Sequence, residues 1–209
     1  MPVETLIYTI RHGHTSYNAE KRYAGSIDIS LSEKGIADCQ DAAQLLAGYP
    51  FDVVVTSTLK RSIETARLLV PECPTVIPNA LCNERNFGIM EGHTWEEILT
   101  YDPPILMINV GNDLHTVNPS GGEPFEDVWQ RAKTFQQFLF ENYEGKNILV
   151  ISHGVFLQLF HGLLRGRNCI ESLASYPSNL ELYRFHFCDN HLMGEKVVRL
   201  CDKDIDIRF

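Results

Sequence analysis

No Cys-X-X-Cys pair occurs among the six cysteines of this chain, Cys39, Cys73, Cys82, Cys169, Cys188 and Cys201. That spacing excludes a thioredoxin-like motif and argues against a zinc site built on cysteine pairs. No apolar run is long enough to span a bilayer, so no membrane association is expected. The first residues carry neither a basic leader nor a signal-type apolar core, so a cytoplasmic location with free thiols is expected rather than a disulfide framework. Basic side chains are scarce, 18 against 27 acidic ones, and the formal charge of −9 argues against nucleic acid as the partner. Internal repeats and low-complexity segments are absent. In so acidic a chain a phosphate site has to be a local island of convergent cations and backbone N–H groups.

What is present is an ordinary globular composition, 44% hydrophobic and 22% charged over 209 residues. Residues 1–209 are expected to form a single domain. Thr5–Ile10 is a β-branched apolar run that stops at Arg11-His12-Gly13, as a buried strand stops at a loop. A helix is predicted over 32–47, capped by Ser32, with the stripe Ile36, Cys39, Ala43 and Leu46 and a stop at Gly48. Phe51–Thr56 reads as the second strand, followed by a helix from about Leu59 on the stripe Ile63, Ala66 and Leu69. Thr75–Ile77 is a short third strand, and 94–100 a brief helix. Residues 101–122, rich in proline and glycine, read as an irregular, lid-like excursion over the sheet edge. Pro124 opens a long helix on the stripe Phe125, Val128, Trp129, Ala132, Phe135 and Leu139. Asn147–Ser152 is the clearest buried strand, with an apolar helix after it through Leu164. Residues 180–187 and 196–200 close the chain as a strand pair around Asp189-Asn190.

Strands alternating with helices predict an α/β three-layer sandwich, a mainly parallel sheet with helices on both faces. Ligands of such sheets bind beyond the carboxyl ends of the strands. Those ends deliver Arg11, His12 and Gly13, then Thr56, Ser57 and Arg61, then Glu84, and finally Ser152, His153 and Gly154. Two arginines, two histidines and a glutamate on one edge point to one pocket. Arg61 falls in the first turn of its helix, where a cation opposes the helix dipole unless an anion shares the place. Paired with Arg11, its planar fork suits the nonbridging oxygens of a phosphoryl group. The same two cations would repel a metal ion, so no metal is expected there.

The stretch Leu6–Asn18, with Arg11-His12-Gly13-His14-Thr15, resembles the signature of the histidine phosphatase superfamily, which includes the phosphoglycerate mutase-like proteins. Thr56–Ser62 resembles that family's second-arginine block, Leu81–Gly92 its acidic block, and Ser120–Glu123 and Val150–Gly154 the remaining two. The resemblance implies a phosphoglycerate mutase-like fold, no cofactor, and a small phosphorylated metabolite as substrate. It makes His12 the nucleophile that becomes phosphorylated, with Arg11, Arg61 and His153 neutralising the transferring group. Glu84 takes the part of general acid and base, and Thr15, Asn18, Ser57, Gly154 and His14 those of substrate contacts. Two departures, Pro124 after the Gly-Gly-Glu stretch and His93 after Glu91-Gly92, touch the pocket rim and not the catalytic set.

His115, His161, His186 and His191 read as structural or solvated, as does His14 apart from a rim contact. Three functions remain in play: a phosphatase, a mutase that returns the phosphoryl group to a second acceptor, and a silent phospholigand-binding module. The chain is shorter than the usual mutase, and all five catalytic positions are filled. A phosphatase is therefore expected, with oligomeric state left open.

Overall fold

The computed structural model describes residues 1–73, 75–111 and 113–200. Cys201, the sixth cysteine, lies outside them; the other five are free thiols. In chain order the elements are β1 (Glu4–Arg11), α1 (Ser16–Glu20), α2 (Glu33–Leu46), β2 (Val53–Thr56), α3 (Lys60–Leu69) and β3 (Val76–Pro78). Then come α4 (Trp95–Ile98), β4 (Leu106–Val110), β5 (Asp113–Val117), α5 (Phe125–Tyr143), β6 (Asn147–Ser152), α6 (Gly154–Leu164) and α7 (Cys169–Ser172). β7 (Glu181–Cys188) and β8 (His191–Arg199) complete the chain.

Six strands form one sheet in the order β3-β2-β6-β1-β7-β8. The first four run parallel, and β7 and β8 are added antiparallel. The architecture is the mainly parallel α/β sandwich that the pattern predicts. Alternate residues of β6 explain its two covered faces: Ile148 and Val150 pack with α5 and α6, Leu149 and Ile151 with α2 and α3. Asp189 and Asn190 turn β7 into β8 with positive φ at both, the geometry of a two-residue hairpin.

Register brings the chemistry together. Arg11 pairs with Ser152, and Thr56 with Ile151, so β1, β6 and β2 end side by side. Two bonds continue the ladder one residue beyond: the His12 N–H donates to Ser152 O at 2.9 Å, and the Ser57 N–H to Ile151 O at 3.1 Å.

Three expectations need correction. Residues 101–122 are not wholly irregular, because β4 and β5 pair as an antiparallel hairpin from Leu106↔Val117 to Val110↔Asp113. The stripe of α2 is rotated: Gly35, Cys39, Ala42 and Leu46 are buried, whereas Ile36 is 40% exposed. The cause is Gly35, whose backbone meets that of His14 so closely that an added Cβ would lie 2.0 Å from His14 O. Finally, β8 starts at His191, well before residue 196.

Candidate active site

His12 leaves β1 with its main chain held on both sides: its N–H by Ser152, its carbonyl by the Asn179 amide at 2.6 Å. The ring is almost fully buried. Its Nδ1 lies 2.7 Å from Gly13 O, and a carbonyl can only accept, so Nδ1 carries the proton. The lone pair is then on Nε2. Burial chiefly, then the charges of Arg61 and Arg11, hold the imidazole well below its ordinary pKa. The ring is therefore neutral and nucleophilic at neutral pH.

Arg61 enters from the first turn of α3 and is 1% exposed. Three of its N–H groups have protein acceptors: Nε on His153 Nδ1 at 3.2 Å, Nη1 on Ile27 O at 2.8 Å and Nη2 on Gly25 O at 2.8 Å. Two of the five guanidinium protons remain for a ligand. Since His153 Nδ1 accepts from Arg61, its Nε2 holds the proton and donates to Ser57 Oγ at 2.6 Å. Burial and the neighbouring Arg61 keep this second imidazole neutral as well. The two histidine rings lie 5.1 Å apart between centroids. Arg11 donates to Pro177 O at 3.2 Å and packs over the Tyr176 ring at 5.0 Å.

Glu84 arrives on the loop after β3, which Ser152 ties to the sheet through its hydroxyl on Cys82 O at 2.6 Å. The carboxylate faces the start of α6. Oε1 accepts from the Phe156 N–H at 3.2 Å and the Arg85 N–H at 2.8 Å, and Oε2 accepts from the Val155 N–H at 3.2 Å. These donors fix both oxygens in place.

A cavity of about 180 Å³ is lined by Arg11, His12, Thr15, Asn18, Arg61 and Glu84. Thr15 caps α1, and its hydroxyl bonds Asn18 Oδ1 at 3.0 Å, so these two share one reciprocal cap. Among the described residues four predicted contacts are not on the cavity wall. His14 is turned to Ser32 Oγ, 3.1 Å away. Ser57 and His153 stand behind Arg61, and Gly154 lies under Tyr176. Conversely, sequence reading missed Arg85, Tyr176, Asp113 and His115, all of which line the cavity. Arg85 is wholly buried over the Phe125 ring at 3.8 Å, and burial lowers its pKa to about 10. His115, expected to be structural or solvated, comes in on β5 and bonds Leu173 O at 2.9 Å. Proline and glycine around the hairpin hid that strand, and with it Asp113 and His115. Among the described residues no three His, Cys, Asp or Glu side chains converge as metal ligands would, and no helix is long and apolar enough to cross a membrane.

Comparison with known proteins gives this constellation its relatives. The adenosylcobalamin/alpha-ribazole phosphatase of Escherichia coli is 33% identical over 162 residues, 77% of this chain and 79% of that one. Phosphoglycerate mutase-like protein 4 of Arabidopsis thaliana is 30% identical over 151 residues, 71% of this chain but only 66% of its own length. Among solved structures, the alpha-ribazole phosphatase of Shigella flexneri superposes with a TM-score of 0.80 at 25% identity, covering 93% of this chain and 96% of that one. A phosphoserine phosphatase of Entamoeba histolytica in complex with phosphoserine gives a TM-score of 0.75 at 26% identity, over 91% and 96% of the two chains. Phosphatases and mutases thus both stand among the relatives. The model of the histidine phosphatase superfamily (branch 1) matches residues 7–198, and with the fold and this strand-end pocket in agreement, the chain belongs to that superfamily.

Proposed function

We propose that the protein is a phosphatase of small phosphate monoesters that works through a phosphohistidine at His12 and needs no metal. The observation that carries this reading is the bond from His12 Nδ1 to Gly13 O, which presents the Nε2 lone pair beside Arg11, Arg61 and Glu84. In the first step Nε2 bonds to phosphorus, the ester P–O bond breaks, and a proton on Glu84 passes to the departing oxygen. In the second, water attacks phosphorus, gives its proton to the Glu84 carboxylate, and the N–P bond breaks. Arg11 and Arg61 meet the negative charge on the equatorial oxygens throughout, the place a divalent cation takes in other phosphoryl-transfer enzymes. His153 steers Arg61 from behind through Nδ1.

The cavity, smaller than the roughly 300–1,000 Å³ of drug-sized sites, supports a compact metabolite as substrate. Phosphatases among the relatives are compatible with hydrolysis, as the mutases among them are with transfer to a second acceptor, and the free thiols of the described residues fit a cytoplasmic setting. The test is phosphate release by EDTA-treated protein from sugar phosphates, phosphoserine, phosphoglycerates and an aryl phosphate. His12→Ala is expected to lose on the order of 10³-fold or more in kcat, and acid-labile, base-stable phosphate should appear on wild type after quenching. Full activity in His12→Ala would refute the nucleophile assignment. Exchange between phosphoglycerates without net phosphate release would replace the phosphatase by a mutase.

A further inference from the structure

A mechanism that asks Glu84 to hand over a proton needs its carboxyl placed to within a fraction of an ångström, yet Glu84 sits on a loop. The residue that meets this need is on another element. Arg131, in the second turn of α5, splits its guanidinium between Glu123 and the segment that carries Glu84. Nε donates to Glu123 Oε1 at 2.7 Å and Nη2 to Glu123 Oε2 at 2.8 Å, a bidentate pair. Nη1 donates to Leu81 O at 2.7 Å and to Asn83 O at 3.0 Å, and the second Nη2 proton faces Glu84 O at 3.4 Å. All five donors of the fork are engaged. Three successive anchor points of the loop, 81, 83 and 84, therefore hang on one planar group.

The same guanidinium touches the other support of Glu84. It packs over the Phe156 ring at 5.6 Å, and the Phe156 N–H is one of the donors on Glu84 Oε1. Glu123 closes the circuit, since its N–H donates to Asn86 O at 2.8 Å and its carbonyl accepts from Arg85 Nε at 2.7 Å. The Arg131 and Glu123 side chains are only 22% and 20% exposed, and their bidentate bond fixes the plane of the guanidinium. With that plane set, the other three protons are aimed at the loop.

We propose that Arg131 is the positioning residue for Glu84, fixing the proton donor against the start of α6 without touching substrate. The proposal rests on the reading of Glu84 as general acid given above. It makes a demand that a merely structural arginine would not make: the loss on mutation depends on the leaving group. An alkoxide must be protonated as it departs, whereas an acidic phenol leaves as its anion. Departure of the leaving group is read in kcat/KM, which excludes the hydrolysis of phosphohistidine common to both substrates, so Arg131→Ala is expected to lower kcat/KM on glycerol phosphate about 30-fold and on para-nitrophenyl phosphate by less than about threefold. Arg131→Lys cannot rebuild a five-donor fork and is expected to behave alike.

The decisive experiment is a double-mutant cycle of Arg131→Ala with Glu84→Gln on both substrates. The expected result is an alkyl-selective loss in each single variant and no further loss in the double. Equal losses on the two substrates, or losses that add in the double variant, overturn the proposal. Should Glu84→Gln itself show no alkyl-selective loss, the reading of Glu84 fails, and the positioning role fails with it. If Arg131→Ala does not fold, Glu123→Gln removes the charged half of the pair while leaving Arg131 on its three carbonyls. It is expected to show the same selectivity at about five- to tenfold, and a uniform or absent effect counts against the proposal.

Discussion

At the scale of single residues the protonation state of His12 follows from its surroundings more than from the ring itself. Gly13 O fixes which nitrogen is protonated, and burial first, then the charges of Arg61 and Arg11, keep the ring from gaining a second proton. Both effects are needed, because an imidazolium has no lone pair to offer. Burial and cations act in the same direction here, so the ring stays neutral below its ordinary pKa. Carbon-13-labelled histidine observed by NMR should show no inflection for His12 between about pH 6 and 8, the range where an unperturbed imidazole titrates. Arg61→Ala removes the largest charge contribution and is expected to move the titration upward, toward the ordinary value. A His12 that titrates normally in wild type contradicts this account. Arg61→Ala should also cost roughly 10²-fold or more in kcat, as the loss of a charge-stabilising donor does.

Among the elements, the start of α6 shows how closely the site is packed. A Cβ built on Gly154 would lie 1.9 Å from the Tyr176 hydroxyl and 2.2 Å from its Cζ. Tyr176 in turn covers the Arg11 guanidinium. Gly154→Ala should therefore displace Tyr176 and loosen Arg11, with kcat/KM falling about tenfold. In a Tyr176→Ala background the same change is expected to be neutral within about twofold, since the three nearest heavy atoms all belong to Tyr176; a loss undiminished there would place the conflict elsewhere. This packing also marks how far the elements were legible. The stripe of α5 was readable in full, Phe125 through Leu139, because a helix of 19 residues repeats its period often enough to define a face. That of α2 was not, because a glycine, Gly35, sets its contact face and carries no hydrophobic signal. α1 escaped notice altogether, being five residues held by the Thr15–Asn18 cap. His12, Arg61, Glu84 and His153 were legible because each follows a strand or opens the next helix. Arg131, Arg85 and Tyr176 were not, since their roles arise from contacts between segments far apart in the chain.

Across the whole molecule, the pocket is a product of strand order. Placing β6 between β1 and β2 sets His12, His153 and Arg61 together with both imidazoles buried, and a third imidazole, that of His161, is buried elsewhere in the core. His161 lies on the α5–α6 face, bonded to Thr9 Oγ1 at 2.6 Å, far from any catalytic duty. For all three, burial is the first cause of a pKa well below the ordinary value; charge from Arg61 adds to it at His12 and His153, and from Arg165 at His161. The folded state thus binds fewer protons than the unfolded chain once pH falls below about 6.5, the unfolded histidine value. Stability is complete above that pH and is lost as pH descends toward the folded values. Each histidine contributes a slope of up to about 1.4 kcal/mol per pH unit in this window. Urea titrations from about pH 7.5 to 5.0, the range that spans ordinary histidine titration, should therefore show a steep decline in unfolding free energy. His161→Gln keeps a polar partner for Thr9 and touches no catalytic group, so it should lower the slope by about one histidine's share while leaving kcat unchanged. An unaltered slope in that variant would mean that His161 does not remain neutral in the folded protein.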